Sequence, residues 1–335
     1  MLLSVIVPVR NEISHISKSF ESIILSTSLI ESEIFFVDGQ SNDGTYQWLN
    51  EAVKKHKRCK LRINQGKFVS FGFNSVFHET KGQYVSRLDG HTIYPKTYFS
   101  NALDILKNKD IDVIGGPANH VGSSWKGISI ANCMMTTFGV GNSKFRISKK
   151  EAYVDTVPFP IYKRSVLDEV GLYDEELIKN QDDELNYRCK ANGYQIFMSP
   201  RLMTDYMVRE NLADLWKQYY LYGFYKPLVF KKVNYGSRFY HYIPSIHSLF
   251  TFIAIGTLYF NVYSLLYLFC YLFFDLLFSI RESKTFKTTI YCMLIYPCIH
   301  YSYGLGFIKG YFSIIEDSYK SVSYTHLTLP TIYSV

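Results

Sequence analysis

Polar and acidic side chains follow three apolar, strand-like segments near the start of the chain. The segment VIVPV leads to Arg10 and Glu12, the segment FFV leads to Asp38, and the segment YVSRL leads to Asp89 and His91. In an α/β sheet, ligands bind outside the carboxyl ends of neighbouring strands. If these three strand ends converge, they form a nucleotide-binding site.

Strand-like and helix-like segments alternate along this part of the chain, and they would hold the polar groups in place. Residues 4–9 and 33–39 are apolar strand candidates, and Ile13, Ile16 and Phe20 recur between them at helical spacing. A third and a fourth strand follow, each after a helical segment. This alternation predicts an α/β domain with a mostly parallel sheet and helices on both faces.

Two later segments complete the predicted domain. Residues 121–154 contain Gly, Ser and Lys with weak periodicity, and we expect an active-site loop region there because long irregular segments are usually functional. Residues 183–192 predict a helix that ends at Gly193, which suits the left-handed cap position.

The C-terminal third has the composition of a membrane segment. Residues 243–280 contain one acid, Asp275, and no Lys or Arg. One span needs about 20 apolar residues, so this length predicts a hairpin of two short or tilted membrane helices that turns near Asn261. The hairpin returns the basic residues 281–287 to the side of the catalytic domain, as the positive-inside rule requires. The alternative is a buried pair of soluble helices.

Four domains or segments are therefore predicted. Residues 1–235 form the catalytic domain, residues 243–280 form the hairpin, and residues 281–321 form a basic loop with a third membrane or interfacial helix. An interfacial helix is the alternative to a third membrane span because four residues interrupt the apolar segment, namely Pro297, His300, Gly304 and Gly306. Residues 322–335 contain VSYTHLTLPT, which resembles a translated sequencing adapter, and we expect a non-native tail there.

Composition argues against several other functions. The net charge of +7 lacks a dense run of Lys and Arg, so we expect contact with anionic lipid and no nucleic acid. The six cysteines show no CxxC pair or zinc spacing, which indicates mostly buried, reduced thiols. Residues 1–9 are apolar but short and contain Pro8, so they predict a first strand and not a signal peptide.

Four motifs carry a family resemblance. VIVPVRNE, VDGQSNDGT, RLDGHTIYP and NQDDELNYR occur in this order over about residues 3–230, and together they resemble an inverting family 2 glycosyltransferase of the Rossmann-like GT-A fold. The similarity is greatest to the membrane-anchored bacterial branch that builds exopolysaccharide, typified by succinoglycan glucosyltransferases. The resemblance implies transfer of a sugar from a nucleotide-sugar donor.

The resemblance also implies residues that bind the donor. Pro8, Arg10 and Glu12 are expected to contact the nucleotide, and Asp38 is expected to accept hydrogen bonds from uracil or ribose. Asp43 is expected to cap a helix instead. Three more candidates border the donor or close over it, with ordinary surface or core positions as the alternative: Lys67, Asn74 and Gln218.

Asp89, Gly90 and His91 stand where the family places an Asp-x-Asp metal motif. A divalent ion there neutralises the charge that grows on the leaving diphosphate. His91 replaces the second Asp, which resembles the Asp-x-His of the polypeptide GalNAc-transferases. Imidazole is a reasonable ligand for Mn²⁺ and a poorer one for Mg²⁺, so the choice of ion stays open. Arg87 is expected to support either the strand end or a phosphate.

The resemblance places the catalytic base at Asp182, with Asp183 and Glu184 as substitutes. Inversion requires a carboxylate that takes the proton of the acceptor hydroxyl. The family has a Glu-Asp pair here, and Gln181-Asp182 matches it with Gln for Glu. Three acids at a helix N-terminus are also favoured by the helix dipole alone, which is the structural alternative.

These expectations combine into a function. The chain is expected to move one sugar, from a UDP-sugar, to a polyprenyl-diphosphate-linked glycan at the bacterial inner membrane, with the catalytic domain in the cytoplasm. The Arg-Trp ending of the processive motif is absent, which favours single addition over polymerisation. The alternatives are a polyprenyl-phosphate sugar synthase and an inactive nucleotide-binding membrane protein.

Overall fold

The computed structural model describes residues 2–141, 150–259 and 261–326, with side chains up to residue 314. The predicted loop region over residues 121–154 lies partly outside these ranges, and the prediction of an irregular segment is wrong for its described part, which contains the helices Trp125–Met134 and Thr137–Val140. Much of the predicted non-native tail over residues 322–335 also lies outside these ranges. Within them the strands are β1 Leu3–Val9, β2 Ser32–Asp38, β3 Cys59–Ile63, β4 Tyr84–Arg87, β5 Thr92–Ile93, β6 Val113–Gly115, β7 Ala118–Val121, β8 Ala152–Tyr153, β9 Ile161–Lys163, β10 Ile196–Met198 and β11 Thr204–Met207.

The helices fall into two groups, which are those of the catalytic domain and a C-terminal set. They are α1 Ile16–Ser26, α2 Thr45–Lys54, α3 Val69–Phe77, α4 Tyr98–Asn108, α5 Trp125–Met134, α6 Thr137–Val140, α7 Arg164–Val170, α8 Gln181–Ala191 and α9 Leu212–Val233, then α10 Ile243–Gly256, α11 Val262–Glu282 and α12 Phe286–His326.

The main sheet has the order β3-β2-β1-β4-β9-β6-β10-β8, and a small sheet has the order β5-β11-β7. In the main sheet, β9 runs antiparallel to β4 and β6, and β8 runs antiparallel to β10, while the other pairs are parallel. The predicted α/β fold with a mostly parallel sheet is therefore confirmed, with two antiparallel strands.

The central strands are apolar on both faces because helices cover both faces. Along β1, Val5 and Val7 pack into one core with α1 and α4, while Ile6 packs into a second core with α3. The register pairs Val9 with Asp38 and Ile6 with Arg87. The polar residues after β1, β2 and β4 consequently meet at one edge of the sheet.

The C-terminal helices differ in their exposure to solvent. In the described part of the chain, α11 alone is long and apolar enough to cross a membrane, and α10 is apolar but shorter. Helix α12 instead buries one face, which includes Cys292, Tyr296 and Ile299, against α5 and α9. The assignment of α10 and α11 to a membrane hairpin, and the predicted domain boundaries, stay predictions.

Glycines let α9 and α12 pack at close range. A Cβ on Gly306 would lie 2.1 Å from the backbone oxygen of Tyr220, and one on Gly310 would lie 2.0 Å from that of Phe224. Gly223 on α9 is equally close to the oxygen of Tyr303. This packing joins α12 to the catalytic domain.

Substituting Gly306 tests this packing. The Gly306→Ala variant should unfold at a lower temperature in detergent, with a loss of about 1–3 kcal/mol, because the backbones of α9 and α12 must separate to admit a methyl group. Gly256→Ala is the matched control, since its Cβ would meet nothing within 4 Å. Equal melting temperatures for the two variants would contradict the close packing of α9 and α12.

Candidate active site

A cavity of about 1000 Å³ opens beside the end of β4 and extends to the C-terminal helices. Its first part is lined by charged groups, among them Arg87, Asp89, His91 and Asp182. Two hydrogen bonds hold the chain after β4: the N–H of Asp89 donates to Tyr94 Oη (2.9 Å), and the Ser19 hydroxyl donates to the Asp89 carbonyl (3.2 Å).

Arg87 lies at the centre of the charged part and is almost fully buried, with 4% of its side chain exposed. Its Nη2 contacts Asp89 Oδ1 at 2.9 Å and Asp182 Oδ2 at 3.2 Å. Burial alone would lower the pKa of Arg87, but the carboxylates of Asp182 and Asp89 raise it above its ordinary value. The guanidinium therefore stays charged and holds the two carboxylates in one site.

Asp182 has the environment of a base. It lies in the first turn of α8, and Asn180 anchors that end of the helix by donating from Nδ2 to the Tyr222 carbonyl at 2.7 Å. Burial raises the pKa of Asp182 above its usual range, with a further contribution from Asp89, while Arg87 opposes the shift. A raised pKa strengthens a carboxylate as a proton acceptor.

The other two acids in the first turn of α8, Asp183 and Glu184, form ion pairs with basic side chains. Asp183 accepts hydrogen bonds from Lys226 Nζ and from the Thr156 hydroxyl. Burial opposes ionisation of Asp183, but Lys226 outweighs it and lowers the pKa of the carboxyl. Glu184 is buried and accepts two hydrogen bonds from Arg188, each 2.7 Å long. Both contacts favour structural roles, so Asp182 is the best placed of the three.

His91 is oriented by Glu12. The distance from His91 Nδ1 to Glu12 Oε1 is 2.9 Å, and a carboxylate can only accept, so Nδ1 carries the proton. In the neutral ring, Nε2 is then the free ligand atom, as in metal sites where a carboxylate fixes a ligating His. Burial opposes a charge on His91, but Glu12 raises its pKa above the ordinary value.

Asp89 and His91 fit a shared divalent ion. Asp89 Oδ2 and His91 Nε2 are 4.0 Å apart. Two atoms that each lie about 2.1 Å from one ion can be at most about 4.2 Å apart, so this separation is compatible with one ion. In the described ranges no group of three or more His, Cys, Asp and Glu side chains forms a metal cage. The pair suits an ion whose other ligands come from phosphates and water.

Asp38 has an oxygen free for a ligand. The side chain is 1% exposed at the end of β2, and Oδ2 accepts from the backbone N–H of Ser41 at 2.9 Å. Oδ1 is buried and has no hydrogen-bond partner among the described residues. Asp43 accepts from the N–H groups of Thr45 and Ile13, which indicates a structural role, but the cap residue of α2 is Gly44 and Asp43 lies one position before it.

Three other residues predicted to bind the nucleotide-sugar, Pro8, Arg10 and Lys67, differ in their burial. Pro8 is buried in β1, where it packs near Gly72, whereas Arg10 and Lys67 are exposed near Gly39. The side chain of Pro8 therefore supports the sheet edge. Ligand contacts by Arg10 and Lys67 stay predictions.

Asn74 and Gln218 differ in what their amides contact. Asn74 Nδ2 donates to the Tyr173 carbonyl and to Glu175, and its oxygen accepts from the Tyr173 N–H. These bonds tie α3 to the loop before α8 and favour a structural role. Gln218 Nε2 donates to Tyr222 Oη at 2.9 Å, and its buried Oε1 has no partner among the described residues. Gln218 lines the cavity.

Sequence reasoning missed three parts of the site. The bridging contacts of Arg87, the orienting contact of Glu12 with His91, and the pairing of Lys226 with Asp183 all join distant positions. Arg87 had one signal in the sequence. It is the only charged residue in the strand YVSRL, and a buried charge needs a partner.

The fold and site together define the class of the protein. The mostly parallel sheet, with Asp38 at the end of β2 and a cavity of paired acids and cations beside the end of β4, fits the GT-A architecture that the motifs predict. The family model described as glycosyl transferase family 2 matches residues 4–171. The chain belongs to this family, which confirms the predicted family and the transferase class.

Two relatives match much of the chain. A Methanococcus voltae protein, named dolichyl N-acetyl-alpha-D-glucosaminyl phosphate 3-beta-D-2,3-diacetamido-2,3-dideoxy-beta-D-glucuronosyltransferase, is 25% identical over 319 residues, which is 92% of this chain and 98% of the relative. The succinoglycan biosynthesis protein ExoA of Rhizobium meliloti is 27% identical over 221 residues, which is 65% of this chain and 67% of the relative.

Solved structures show the same fold. The mannosyltransferase PcManGT from Pyrobaculum calidifontis, in complex with GDP-Man and Mn²⁺, has a TM-score of 0.60 and 14% identity, covering 88% of this chain and 85% of that one. S. aureus TarS 1–349 in complex with UDP-GlcNAc has a TM-score of 0.52 and 17% identity, covering 92% and 90%. The predicted GT-A fold is confirmed.

Removing the charge of Arg87 should destabilise the protein strongly. In Arg87→Leu, the carboxylates of Asp89 and Asp182 lose their shared cation, and we expect a loss of about 3–5 kcal/mol in the free energy of unfolding. Arg62→Leu is the control, because Arg62 pairs with Glu79 at the surface and should contribute at most about 1 kcal/mol. Denaturant titration in detergent measures both losses, and similar values would argue against the bridging role.

Proposed function

We propose that the protein is a membrane-anchored inverting glycosyltransferase that adds one sugar, from a UDP-sugar, to a prenyl-linked glycan in cell-surface polysaccharide synthesis. The observation that carries this proposal is the joint position of Asp182, Asp89 and His91 in one cavity that reaches apolar helices. A base, a diphosphate site and a route toward a lipid acceptor thus share one cavity.

Each group has a distinct part in the proposed reaction. Asp182 accepts the proton of the acceptor hydroxyl as that oxygen attacks the anomeric carbon from the face opposite the diphosphate. Arg87 holds the base in place through its contact with Oδ2 of Asp182. Asp89 and His91 would hold a divalent ion, Mn²⁺ or Mg²⁺, which neutralises charge on the leaving diphosphate. Glu12 fixes the ring of His91.

Arg209 is a further cation that could bind the donor diphosphate. It is exposed, lines the cavity, and its charge acts on His91 by opposing the rise in the pKa of that ring. A guanidinium facing the metal site suits the diphosphate, since Arg can bind two phosphate oxygens at once. Arg209 is therefore proposed to bind the donor diphosphate together with the ion.

The proposed donor and acceptor are supported by Asp38, by one relative and by the apolar helix α11. Asp38 Oδ1 is available to a uracil or ribose group, which favours UDP. The Methanococcus voltae relative is named for a sugar acceptor linked to dolichyl phosphate, which supports a lipid-linked acceptor here. A polyprenyl diphosphate carrier, the bacterial inner membrane and a cytoplasm-facing catalytic domain are parts of the proposal supported by α11 and the basic residues 281–287.

The polyprenyl-phosphate sugar synthase fits the site less well. Its nucleophile is a lipid phosphate, which needs no carboxylate to take a proton. That reaction gives no use to Asp182, a buried carboxyl whose pKa is raised by its burial. A hydroxyl acceptor needs such a base.

Donor binding tests the proposal directly. The full chain in detergent is heated with UDP-, GDP- and CMP-sugars, each with Mn²⁺, Mg²⁺ or EDTA. We expect a UDP-sugar with Mn²⁺ to raise the melting temperature, and EDTA to remove most of that rise, because a ligand that binds only the folded state stabilises it more as its affinity increases. Stabilisation that is equal with and without metal for every donor would overturn the metal site.

Removal of the base separates binding from chemistry. Asp182→Asn should lower the rate of sugar transfer by about 10²–10⁴-fold while stabilisation by donor and metal persists. Asp104→Asn is the control, since Asp104 is on the surface of α4, where it pairs with Arg201. If Asp182→Asn keeps its transfer rate, the base assignment is wrong and the phosphate-acceptor alternative gains support.

A further inference from the structure

The far end of the cavity has no role in the chemistry described above. It is lined by residues of three C-terminal helices, which are Ile243, Pro244 and His247 from α10, Tyr271 from α11, and Ile299, His300 and Tyr303 from α12. The same cavity contains Asp182. The wall is therefore aromatic and apolar with a few polar atoms, within one continuous space that begins at the base.

At this end, both ring nitrogens of His300 form hydrogen bonds within the protein. His300 Nε2 lies 2.7 Å from the Phe138 carbonyl, which can only accept, so Nε2 carries the proton. His300 Nδ1 then accepts from Tyr271 Oη at 3.0 Å. These bonds join α12 to α6 and α11, and they give His300 a structural role.

Two other polar atoms have no such partner. His247 Nε2 and Tyr303 Oη are buried and make no hydrogen bond within the described residues. The ring of His247 is nevertheless held in place, because Nδ1 lies 2.6 Å from Tyr267 Oη and the ring centre lies 4.3 Å from that of Tyr271. A buried polar atom without a partner destabilises the folded state, so two of them on one cavity wall suit a polar ligand.

Two cationic side chains line the same cavity. Lys226 lines the same cavity and is paired with Asp183, and Arg238 is paired with Asp155 at 2.8 Å. An ammonium group has three N–H donors, so a phosphate oxygen can bind Lys226 without breaking its pair with Asp183. This part of the cavity can therefore accept a phosphate.

The surroundings of the far end favour a lipid. Large apolar side chains on α10 and α11 are exposed, among them Phe250 (54%) and Phe269 (66%). Such a surface on an apolar helix faces a bilayer more readily than water. A chain that leaves the cavity between these helices would enter apolar surroundings.

We propose that this end of the cavity binds the phosphate and first isoprene units of a prenyl-linked acceptor, with Lys226, His247 and Tyr303 as the polar contacts of the phosphate. The inference rests on the proposed function and narrows its acceptor. Because one cavity contains both the base and the phosphate site, the reacting sugar is at or near the phosphate, and the acceptor is a short lipid-linked saccharide.

Binding of farnesyl phosphate tests the site without knowledge of the sugar. Calorimetric titration of the full chain in detergent compares farnesyl phosphate with farnesol and with inorganic phosphate. We expect farnesyl phosphate to bind at least tenfold more tightly than either, because it fills both the phosphate and the isoprene positions. Equal binding of farnesol would exclude a phosphate site, and equal binding of inorganic phosphate would exclude the isoprene position.

Tyr303→Phe is the sharpest variant, because it removes a hydroxyl that has no partner in the described structure. The melting temperature should stay the same or rise, while farnesyl phosphate should bind about 2–10-fold more weakly, as expected for one lost hydrogen bond. Tyr263→Phe, on the exposed face of α11, is the matched control and should change neither value. Unchanged binding by Tyr303→Phe would overturn the role of this hydroxyl.

His247 allows a second, paired test. His247→Asn keeps an amide near Nδ1 but has no atom at Nε2, whereas His247→Gln can place its amide near Nε2. We expect weaker binding of farnesyl phosphate in the Asn variant and recovery in the Gln variant, with stabilisation by donor and metal unchanged in both. If no nucleotide-sugar with metal stabilises the unaltered protein while farnesyl phosphate still binds to it, the proposed function is refuted and the lipid site is not.

Discussion

The buried charge of Arg87 needs two carboxylates, and those around it come from distant parts of the chain. Asp89 follows β4, whereas Asp182 lies in the first turn of α8, almost a hundred residues later. A guanidinium without partners would be costly at 4% exposure, so the folded state depends on both contacts. One interaction thus stabilises the domain and sets the position of Asp182, the proposed base, relative to Asp89.

A second constraint places the C-terminal helices. Close packing of α9 against α12 at Gly223 and Gly306 brings Tyr303 beside the cavity, and the contacts of His300 with Phe138 and Tyr271 hold α6 and α11 around it. The cavity is shaped by packing between the catalytic domain and apolar helices, and neither part encloses it alone. In the proposed function, this arrangement would let a soluble donor and a lipid acceptor meet.

His91 stands where the family motif has a second Asp, and the structure gives its ring an orienting partner. An aspartate needs no orienting partner to offer an oxygen, but an imidazole must have one nitrogen protonated and the other free. Glu12 supplies this condition at 2.9 Å. In the proposed function, the strand end after β1 therefore orients a metal ligand through Glu12, while the nucleotide contacts that the motif resemblance assigns to this strand end stay predictions.

The sequence by itself determined the first four strands with their helices, the sheet edge that follows them and the family, because apolar periodicity and short motifs are local properties. It did not determine the antiparallel strands β8 and β9 or the small sheet, whose strands are short and pair with distant segments. The family motif ranked Asp182 first among the three acids of α8, but helix chemistry alone favours all three equally. Only the tertiary structure paired Asp183 with Lys226 and Glu184 with Arg188 and placed Asp182 against Arg87. The physical reason is that a side chain's partner, burial and pKa depend on groups that are distant in sequence and close only after folding.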